Sequence, residues 1–411
     1  MRNKSFYYLT SALIILAIQF TDLKIGPVKL SEIIFLLYAL LCLKKIHKVT
    51  YSYFILFTFF LLATFVKNPF MSFDNSVAPS FLKTSYWISI SRYLELIACL
   101  GFTEYICNIS KKIGVEGLVR LILNSSYYFS FLLIFLYLLN YLGTDWISVS
   151  HEGSFFLRLK GFYVEGGPLG LMYSMLIVLN ILFVGKKKYT LIFLVILILS
   201  QSKAGVSCLC AYLAIYWISS FRQSRYYSRF KYILLPISVV FFLIVFVFIS
   251  NIYIQRIVDT QMLQVYVNNN PEDYSVTAGR ISATFILHEM FIKNPIIGIG
   301  MGNYPLLRNL DEYRSFFPVI SIFDASGYGG IIDVINQFGL LGLILWGMIL
   351  KKIYHLTSNW KIIFLSQFPF FFGVQMTFLY PWLLIGIMLD GTQIQNEKCD
   401  RLITYGRKDI Q

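Results

Sequence analysis

Three basic side chains stand at positions of this sequence that favour phosphate binding. Arg158 begins the run RLKGFYVEGGPLG, Lys203 lies in the short segment SQSKAG, and Arg280 follows Gly279 at the start of a helical pattern. An arginine presents a planar fork of N–H donors, a lysine presents a compact point charge, and glycines let backbone N–H groups approach an anion. These residues therefore predict a binding site for a phosphate or diphosphate group.

Two of these residues also have plain structural interpretations. Arg158 can extend its side chain from an interfacial loop to the lipid headgroups. Lys203 can lie in an ordinary hairpin turn between two apolar segments. The sequence by itself leaves both interpretations open.

The elements that must position these residues are membrane helices. The chain has 411 residues, of which 57% are hydrophobic and 14% are charged, whereas a soluble domain carries about 25% charged residues. Many apolar runs approach the ~20 residues that cross a bilayer as a helix. The sequence therefore predicts an all-α, polytopic membrane bundle.

The apolar runs predict about twelve spans. They lie near residues 6–20, 30–43, 52–66, 87–107, 121–142, 168–184, 189–202, 205–220, 232–252, 328–350, 361–374 and 377–390. We divide the chain into three parts. Residues 1–252 hold the first nine spans, residues 253–327 form a large external loop, and residues 328–411 hold the final spans and a basic tail.

Lysine and arginine are concentrated in alternate intervals between the predicted spans, such as Lys44 to Lys48 and Lys186 to Lys188. The positive-inside rule assigns these intervals, and both termini, to the cytoplasm. The same rule accounts for the net charge of +14. Membrane lipids are therefore the expected partners of the excess charge, and nucleic acid is not, because the sequence shows no basic face.

Charged residues inside spans indicate a functional pathway or site by default. Arg92 and Glu95 lie three residues apart in the fourth span, on one helical face. They predict either a structural ion pair or a substrate-binding side chain, Arg92. Glu32 lies at the end of a span, where we expect it to be solvated. Asp333, near the start of the tenth span, can reach an external site.

Within the large external loop, residues 279–293 predict a helix on the membrane surface or over the bundle. Its expected apolar face consists of Ile281, Thr284, Phe285, His288, Phe291 and Ile292. Arg280 and His288 would be about 12 Å apart along this helix, so they could bracket a diphosphate and a sugar. The following GIGMG sequence predicts a tight turn rather than a nucleotide-binding loop.

Two further arginines, Arg308 and Arg314, follow in the same loop together with Asp311. We expect these side chains to be mostly solvated. The alternative is that Arg308 or Arg314 binds the glycan or the lipid of a substrate.

Four motifs occur in order within residues 150–345: Arg158 with KGFYVEGGPLG, then SQSKAG, then GR with NPIIGIGMGNY, then GYGGIIDVINQFGLLG. Together they resemble those of Wzy-type O-antigen and exopolysaccharide polymerases, within the wider O-antigen ligase-like membrane family. The resemblance implies a helical bundle with a large periplasmic loop in the bacterial inner membrane. It also implies that Arg158, Arg280, Glu165 and Lys203 are functional residues.

Members of this family transfer a glycan from undecaprenyl diphosphate in an inverting reaction, without a nucleotide sugar, a metal or a cofactor. Polymerases pass the growing chain to a new lipid-linked repeat unit, and ligases pass it to lipid A–core. Ligases carry a His-Asn type of pair where this sequence has Ser326, Gly327 and Tyr328, which favours a polymerase. The resemblance also suggests a chain-length regulator and a flippase as protein partners.

The acceptor hydroxyl in such a reaction needs a general base within hydrogen-bond reach. Glu165 is the first candidate, followed by His288 and Asp324. No cluster in the sequence has metal-ligand spacing. An alternative of another class is a flippase or transporter for the lipid-linked oligosaccharide, which would also bind a diphosphate but would have charged residues along spans in both halves.

Overall fold

The structure, a computed structural model, describes residues 4–21, 23–25, 28–42, 45–142, 149–150, 157–221, 260–323, 328–357, 360–371 and 373–390. Most of these residues are helical. The helices of the first part are α1 (Lys4–Gln19), α2 (Leu30–Cys42), α3 (Lys48–Lys67), α4 (Ser85–Ile113), α5 (Val115–Asn140), α6 (Gly166–Leu179), α7 (Lys187–Leu199) and α8 (Lys203–Phe221).

The second part contains short helices and then apolar ones. They are α9 (Thr260–Asn269), α10 (Tyr274–Thr277), α11 (Arg280–Lys293), α12 (Tyr304–Leu307), α13 (Asp311–Arg314), α14 (Gly330–Thr357), α15 (Trp360–Phe371) and α16 (Leu379–Met388). Two antiparallel ribbons of two residues per strand complete the fold: β1 (Lys24–Ile25) with β2 (Val28–Lys29), and β3 (Val149–Ser150) with β4 (Arg158–Leu159).

The predicted fold class, all-α, is confirmed. Each predicted span within the described residues coincides with a helix, and the predicted span 232–252 lies outside the described residues. Four of the described helical segments are long and apolar enough to cross a bilayer: Lys48–Phe70, Val115–Asn140, Gly166–Val184 and Gly330–Thr357. The described helices therefore fit a membrane protein.

Helix α4 lies at the centre of the bundle, in contact with α2, α3, α5 and α16. Glycines allow two of these contacts to be close. A Cβ at Gly101 of α4 would collide with the carbonyl oxygen of Phe35 in α2, and a Cβ at Gly386 of α16 would lie 2.8 Å from the carbonyl oxygen of Thr103. The charged residues of α2 and α4 are therefore held at a fixed separation.

Helices α6 and α8 also make a close glycine contact. A Cβ at Gly205 would lie 2.7 Å from the carbonyl oxygen of Gly170. Ser174 Oγ reinforces the contact by donating to the carbonyl oxygen of Gly205 at 2.6 Å. This packing fixes the beginnings of α6 and α8 beside each other.

Helix α14 is broken at Gly339, where the backbone has φ 67° and ψ −167°. Gly339 is about 14 Å along the helix from Gly330, at 1.5 Å per residue. The break leaves carbonyl groups before it and N–H groups after it without helical partners. The segment 294–303, which we call the glycine segment, supplies these partners.

Four backbone hydrogen bonds join the glycine segment to the break. The N–H groups of Ile299 and Gly300 donate to the carbonyls of Asn336 and Gln337, at 2.8 and 3.1 Å. The N–H groups of Leu340 and Leu341 donate in return to the carbonyls of Pro295 and Ile296, at 2.8 and 3.1 Å. The glycine segment is therefore part of the bundle and is not a free loop above it.

Side chains of α3 and α4 hold the same segment from the other side. Lys67 donates to the side chain of Asn294 and, at 2.5 Å, to the carbonyl of Gly298. Thr64 accepts from the N–H of Met301 at 3.0 Å. Gly298, Gly300 and Gly302 have φ values of 75°, 91° and 76°, which only glycine adopts readily. The predicted tight turn is confirmed, and it is packed against α3 and α14.

Helix α11 is present as predicted, but its expected apolar face was wrong. The buried residues are Ser282, Ala283, Ile286, Leu287 and Met290, whereas His288 and Ile292 are exposed. The prediction chose the face with the bulky residues. Small and aliphatic residues instead pack more closely against the short helices and loops around α11. His288 therefore points away from the packed side of the helix.

Candidate functional site

Arg158 lies in β4, where the beginning of α6 and the end of α7 meet. Its Nε donates to the carbonyl oxygen of Ser200, the residue after α7, at 3.1 Å. A Cβ at Gly166 would lie 2.8 Å from Arg158 Nε and 2.7 Å from the Ser200 carbonyl. The glycine pair after Glu165 therefore makes room for the guanidinium at the first turn of α6.

The SQSKAG segment packs against the same turn. Ser202 Oγ donates to the carbonyl of Gly167 at 2.9 Å and accepts from the N–H of Gly205 at 3.0 Å, so it caps α8. Lys203, the next residue, is exposed and begins α8. The structure thus brings Arg158 and Lys203, which are 45 residues apart in the sequence, into one neighbourhood.

Two long helices begin in this neighbourhood, α6 at Gly166 and α8 at Lys203. The first turn of a helix presents unpaired N–H groups and a partial positive charge, which favour an anion. Glu165 occupies the position before α6, is exposed, and makes no side-chain capping hydrogen bond. Two cationic residues, two helix starts and one exposed carboxylate therefore lie on elements that contact each other. We call this set the α6–α8 site.

Arg280 and His288 lie on a different element, α11. Both side chains are exposed on α11, whose buried face packs with residues such as Met71, Phe73 and Tyr328. Thr284 and Tyr328 share a hydrogen bond of 2.6 Å between their hydroxyls. The elements that hold Arg280 are thus different from those that hold Arg158 and Lys203.

Arg92 and Glu95 form the predicted ion pair, with Arg92 Nη1 2.7 Å from Glu95 Oε2. The pair lies beside the glycine segment, because a Cβ at Gly302 would lie 3.0 Å from Arg92 Cγ. Asp333 of α14 interacts electrostatically with Arg92, and its carboxylate accepts a hydrogen bond from the N–H of Gly329. Arg92, on α4, therefore lies beside the glycine segment and the beginning of α14.

The expectation that Glu32 is solvated was wrong. Its residue is only 6% exposed, and its carboxylate accepts from Lys29 Nζ at 2.7 Å and from the N–H of Lys29 at 3.3 Å. The ribbon of β1 and β2 turns the chain so that Lys29 immediately precedes α2. Sequence reasoning missed this pair, although the spacing of three residues at a helix start is a usable signal.

The two ion pairs belong to one charged cluster, which we define as Lys29, Glu32, Arg92 and Glu95. Glu95 interacts electrostatically with Arg92 and Lys29, and Glu32 interacts with Lys29 and Glu95. The cluster is built from α2, α4 and the β1–β2 ribbon. Opposite charges alternate within it, which lowers the cost of burying them.

A narrow crevice opens beside this cluster. It is lined by Ala17, Thr21, Lys29, Ser31, Glu32, Thr377, Phe378 and Leu379. Lys29 Nζ also lies 5.3 Å from the centre of the Phe378 ring. Thr21 donates a long hydrogen bond of 3.5 Å to the carbonyl of Phe162, which lies between Arg158 and Glu165. The crevice and the α6–α8 site are therefore connected by this loop.

The expectation that Arg308 is solvated was wrong, because this residue is only 2% exposed. Its guanidinium donates to the carbonyl of Ile322. Burial raises the pKa of the neighbouring Tyr304 to about 12. Arg308 is thus packed inside the loop 253–327, where its guanidinium contacts the backbone. Arg314 is partly exposed and pairs with Asp311. Asp324 lies outside the described residues.

Asp74 joins the loop after α3 to this external layer. Its carboxylate accepts from Ser76 and, at 2.9 Å, from Asn309 Nδ2. The hydrogen bond from Ser76 lowers the pKa of Asp74 most, with further lowering by Asn309 and by the charge of Arg308. The ionised form of Asp74 is therefore the form that the folded structure favours.

Within the described part of the chain, no three or more His, Cys, Asp or Glu side chains are grouped so that they could hold a metal ion. A scan against protein-family models finds no matching family, and a search of curated proteins finds no match. The functional argument therefore depends on the residues and their geometry.

Proposed function

We propose that this protein is a membrane glycosyltransferase of the polymerase type. It transfers the growing glycan from undecaprenyl diphosphate to a new lipid-linked repeat unit, at the periplasmic face of the bacterial inner membrane. About twelve spans, with both termini in the cytoplasm, surround the site. The observation that carries the proposal is the α6–α8 site, where Arg158 and Lys203 meet at two helix beginnings.

The chemical role of these cations follows from the leaving group. The diphosphate gains negative charge as its bond to the anomeric carbon breaks. Preorganised donors bind that developing charge more strongly in the transition state than in the ground state, which accelerates the reaction. Removing one such donor costs about 3–4 kcal/mol of barrier, or 10²–10³ in rate. Arg280 would bind the donor from the α11 side.

The other half of the reaction is attack by the acceptor. A sugar hydroxyl of the new repeat unit attacks the anomeric carbon on the face opposite the diphosphate, so the configuration inverts. The hydroxyl proton passes to a base. Glu165, at the α6–α8 site, is one candidate, and His288 and Asp324 are the others named by the sequence.

Complementation tests the proposal in a strain that lacks this protein. We expect Arg158→Ala, Lys203→Ala and Arg280→Ala each to reduce polysaccharide length toward a single repeat unit, at normal protein levels. Arg120→Ala is the matched control, because Arg120 is an exposed arginine that pairs with Glu116 on α5, outside the α6–α8 site. Full-length polysaccharide from all three test variants would rule out the site.

The same experiment separates a polymerase from a ligase. Loss of a polymerase leaves one repeat unit on lipid A–core. Loss of a ligase leaves bare core and an accumulation of polymer on the carrier lipid. The first pattern is the expected one.

One observation favours the second candidate function, a transporter for the lipid-linked oligosaccharide. Charged residues lie on helices of both halves, with Arg92 on α4 and Asp333 on α14, and α14 is broken at Gly339. Broken helices with polar residues are typical of transporters. Movement of a lipid-linked oligosaccharide across vesicles that contain only this protein, without chain lengthening, would support transport.

A further inference from the structure

We propose that an anionic phospholipid of the cytoplasmic leaflet binds where α3 and α14 pack together. Its phosphate would contact lysines at the polar end of the two helices, and its acyl chains would lie along their exposed apolar residues. This inference goes beyond the proposed glycosyl transfer and does not depend on it. We call the site the α3–α14 surface, and it consists of Lys48, Ser52, Ile55, Phe59, Met348 and Lys352.

The polar end of this surface is held by hydrogen bonds between the two helices. Lys352 Nζ donates to Ser52 Oγ at 2.9 Å and, over 3.4 Å, to the carbonyl oxygen of Lys48. These contacts fix the ammonium group at the junction of α3 and α14, and an ammonium group can donate three hydrogen bonds. Lys352 and Lys48 are both exposed. A phosphate oxygen can therefore reach a positive charge that is already held in place.

The charges around this end favour an anion. His47, the residue before α3, interacts electrostatically with Glu104 and with three lysines, Lys48, Lys111 and Lys352. Glu104 is only 2% exposed, and its Oε1 accepts a hydrogen bond from the N–H of His47 at 2.9 Å. The three lysines, by contrast, are exposed. The outside of this group is therefore positively charged, because its carboxylate is buried.

Exposed apolar residues continue the surface away from the lysines. On α3, Ile55 and Phe59 lie three and seven residues after Ser52, and on α14, Met348 lies four residues before Lys352. These spacings place the apolar residues on the same side of each helix as the polar residue. The three apolar residues are between 44% and 62% exposed. The surface thus has a charged end and an apolar remainder.

The occupant follows from the length and hydropathy of the two helices. The segments Lys48–Phe70 and Gly330–Thr357 are long and apolar enough to cross a bilayer, and only 39% and 33% of their most apolar stretches are buried. We expect their other faces to contact acyl chains. The positive-inside rule assigns the lysine end of both helices to the cytoplasm, where anionic lipids attract basic residues. A phosphate joined to acyl chains matches both parts of the surface.

Photo-crosslinking tests the inference with the full-length protein in phosphatidylcholine vesicles. The vesicles carry a trace of phosphatidylglycerol or of phosphatidylcholine, each with the same photoreactive acyl chain, and mass spectrometry locates the labelled residues. We expect phosphatidylglycerol to label Ile55, Phe59 and Met348 several-fold more than phosphatidylcholine does. Equal labelling by the two lipids would overturn the inference. Labelling by neither lipid would also overturn it, because a second copy of the chain would then cover the surface.

Lysine variants test which residues select the headgroup. The double variant Lys48→Gln, Lys352→Gln should lose most of the preference for phosphatidylglycerol, since a lysine near the membrane surface contributes about fivefold to the binding of anionic lipid. Lys187→Gln is the matched control, because Lys187 is an exposed lysine at the start of a different helix, α7. A full preference in the folded double variant would contradict the site. The wild-type comparison decides the case if the double variant does not fold.

Inorganic phosphate tests the other source of the same chemistry. It is added in excess to the wild-type vesicles, with sodium chloride at equal ionic strength as the control. We expect the preference for phosphatidylglycerol to be the same in both salts, because the acyl chains hold the lipid beside the lysines. Loss of the preference in phosphate alone would mean that the lysines bind a free anion, and it would overturn the assignment to a lipid.

Discussion

The charged side chains of the Lys29, Glu32, Arg92 and Glu95 cluster are held as neighbouring opposite charges. Lys29 and Glu32 are 2.7 Å apart, as are Arg92 and Glu95. A single buried charge is costly, and removing one partner of a buried pair is strongly destabilising because the other charge is left behind. Substitutions in the cluster should therefore be isosteric, such as Glu32→Gln, so that the loss of a charge is separated from the loss of packing.

Asp74 gives a pH-dependent prediction at the residue scale. Its pKa is lowered in the folded protein, so its contribution to stability is fully present above the ordinary aspartate pKa of about 4. That contribution is lost as the pH falls through the lowered pKa. We expect Asp74→Asn to reduce stability by about 1 kcal/mol at neutral pH, and the difference from wild type to shrink in acid.

Thermal unfolding in detergent, measured from neutral pH down to about pH 3, checks this prediction. Asp311→Asn is a suitable control, because Asp311 is largely exposed at 88%. A constant difference between wild type and Asp74→Asn at every pH would contradict the role of ionised Asp74.

Some residue positions could be predicted from the sequence and others could not. The pairing of Arg92 with Glu95 follows from helical spacing, which is a local property. The burial of Glu32 and Arg308 depends on which distant elements cover them. For Glu32, the cover includes Thr377 and Phe378 of the segment before α16. No local pattern records such a contact, so both were expected to be solvated.

At the scale of elements, the broken helix α14 gives the clearest prediction. Gly339 has φ 67°, and a Cβ there would collide with the carbonyl oxygen of Ile296. We expect Gly339→Ala to destabilise the protein by at least about 1–3 kcal/mol from backbone strain alone, with loss of polysaccharide lengthening. The measurement is the thermal unfolding midpoint, with complementation as the functional test.

Gly347 provides the matched control in the same helix. A Cβ at Gly347 meets nothing within 4 Å, and alanine is the better helix former by roughly 1 kcal/mol. Gly347→Ala should therefore leave the protein as stable as wild type or slightly more stable. Equal midpoints for Gly339→Ala and Gly347→Ala would mean that the break does not require glycine.

The positions of the long helices were predictable because hydropathy is a strong local signal. The break in α14 was not predictable, since a glycine inside an apolar helical run does not by itself indicate a break. The interacting segment lies more than thirty residues earlier, at 294–303. The face of α11 was also missed, because the choice between its two faces is made by the elements that cover it.

At the scale of the whole molecule, the distribution of basic residues predicts the orientation in the membrane. The α6–α8 site should face the periplasm, and the start of α5 should face the cytoplasm. Glu165→Cys and Arg120→Cys place new thiols at these two positions. A membrane-impermeant maleimide added to intact spheroplasts should label the first and not the second, relative to protein without the new thiol.

Both positions are accessible, since Glu165 is exposed and the Arg120 side chain is 58% exposed. Labelling of Arg120→Cys alone would reverse the orientation and place the cation site in the cytoplasm, away from a periplasmic substrate. Permeabilised cells, in which both thiols should react, serve as the control for reactivity.

The backbone pairing at Gly339 has a consequence for how the chain is made. In the proposed topology, the glycine segment leaves the ribosome before α14 does and is translocated before α14 enters the bilayer. Until the two meet, the carbonyls of Asn336 and Gln337 and the N–H groups of Leu340 and Leu341 lack their native partners, at a cost of several kcal/mol each in lipid. Insertion of the tenth predicted span is thus completed by the glycine segment, which is synthesised earlier. Deleting the glycine segment should leave this span incompletely inserted during biogenesis.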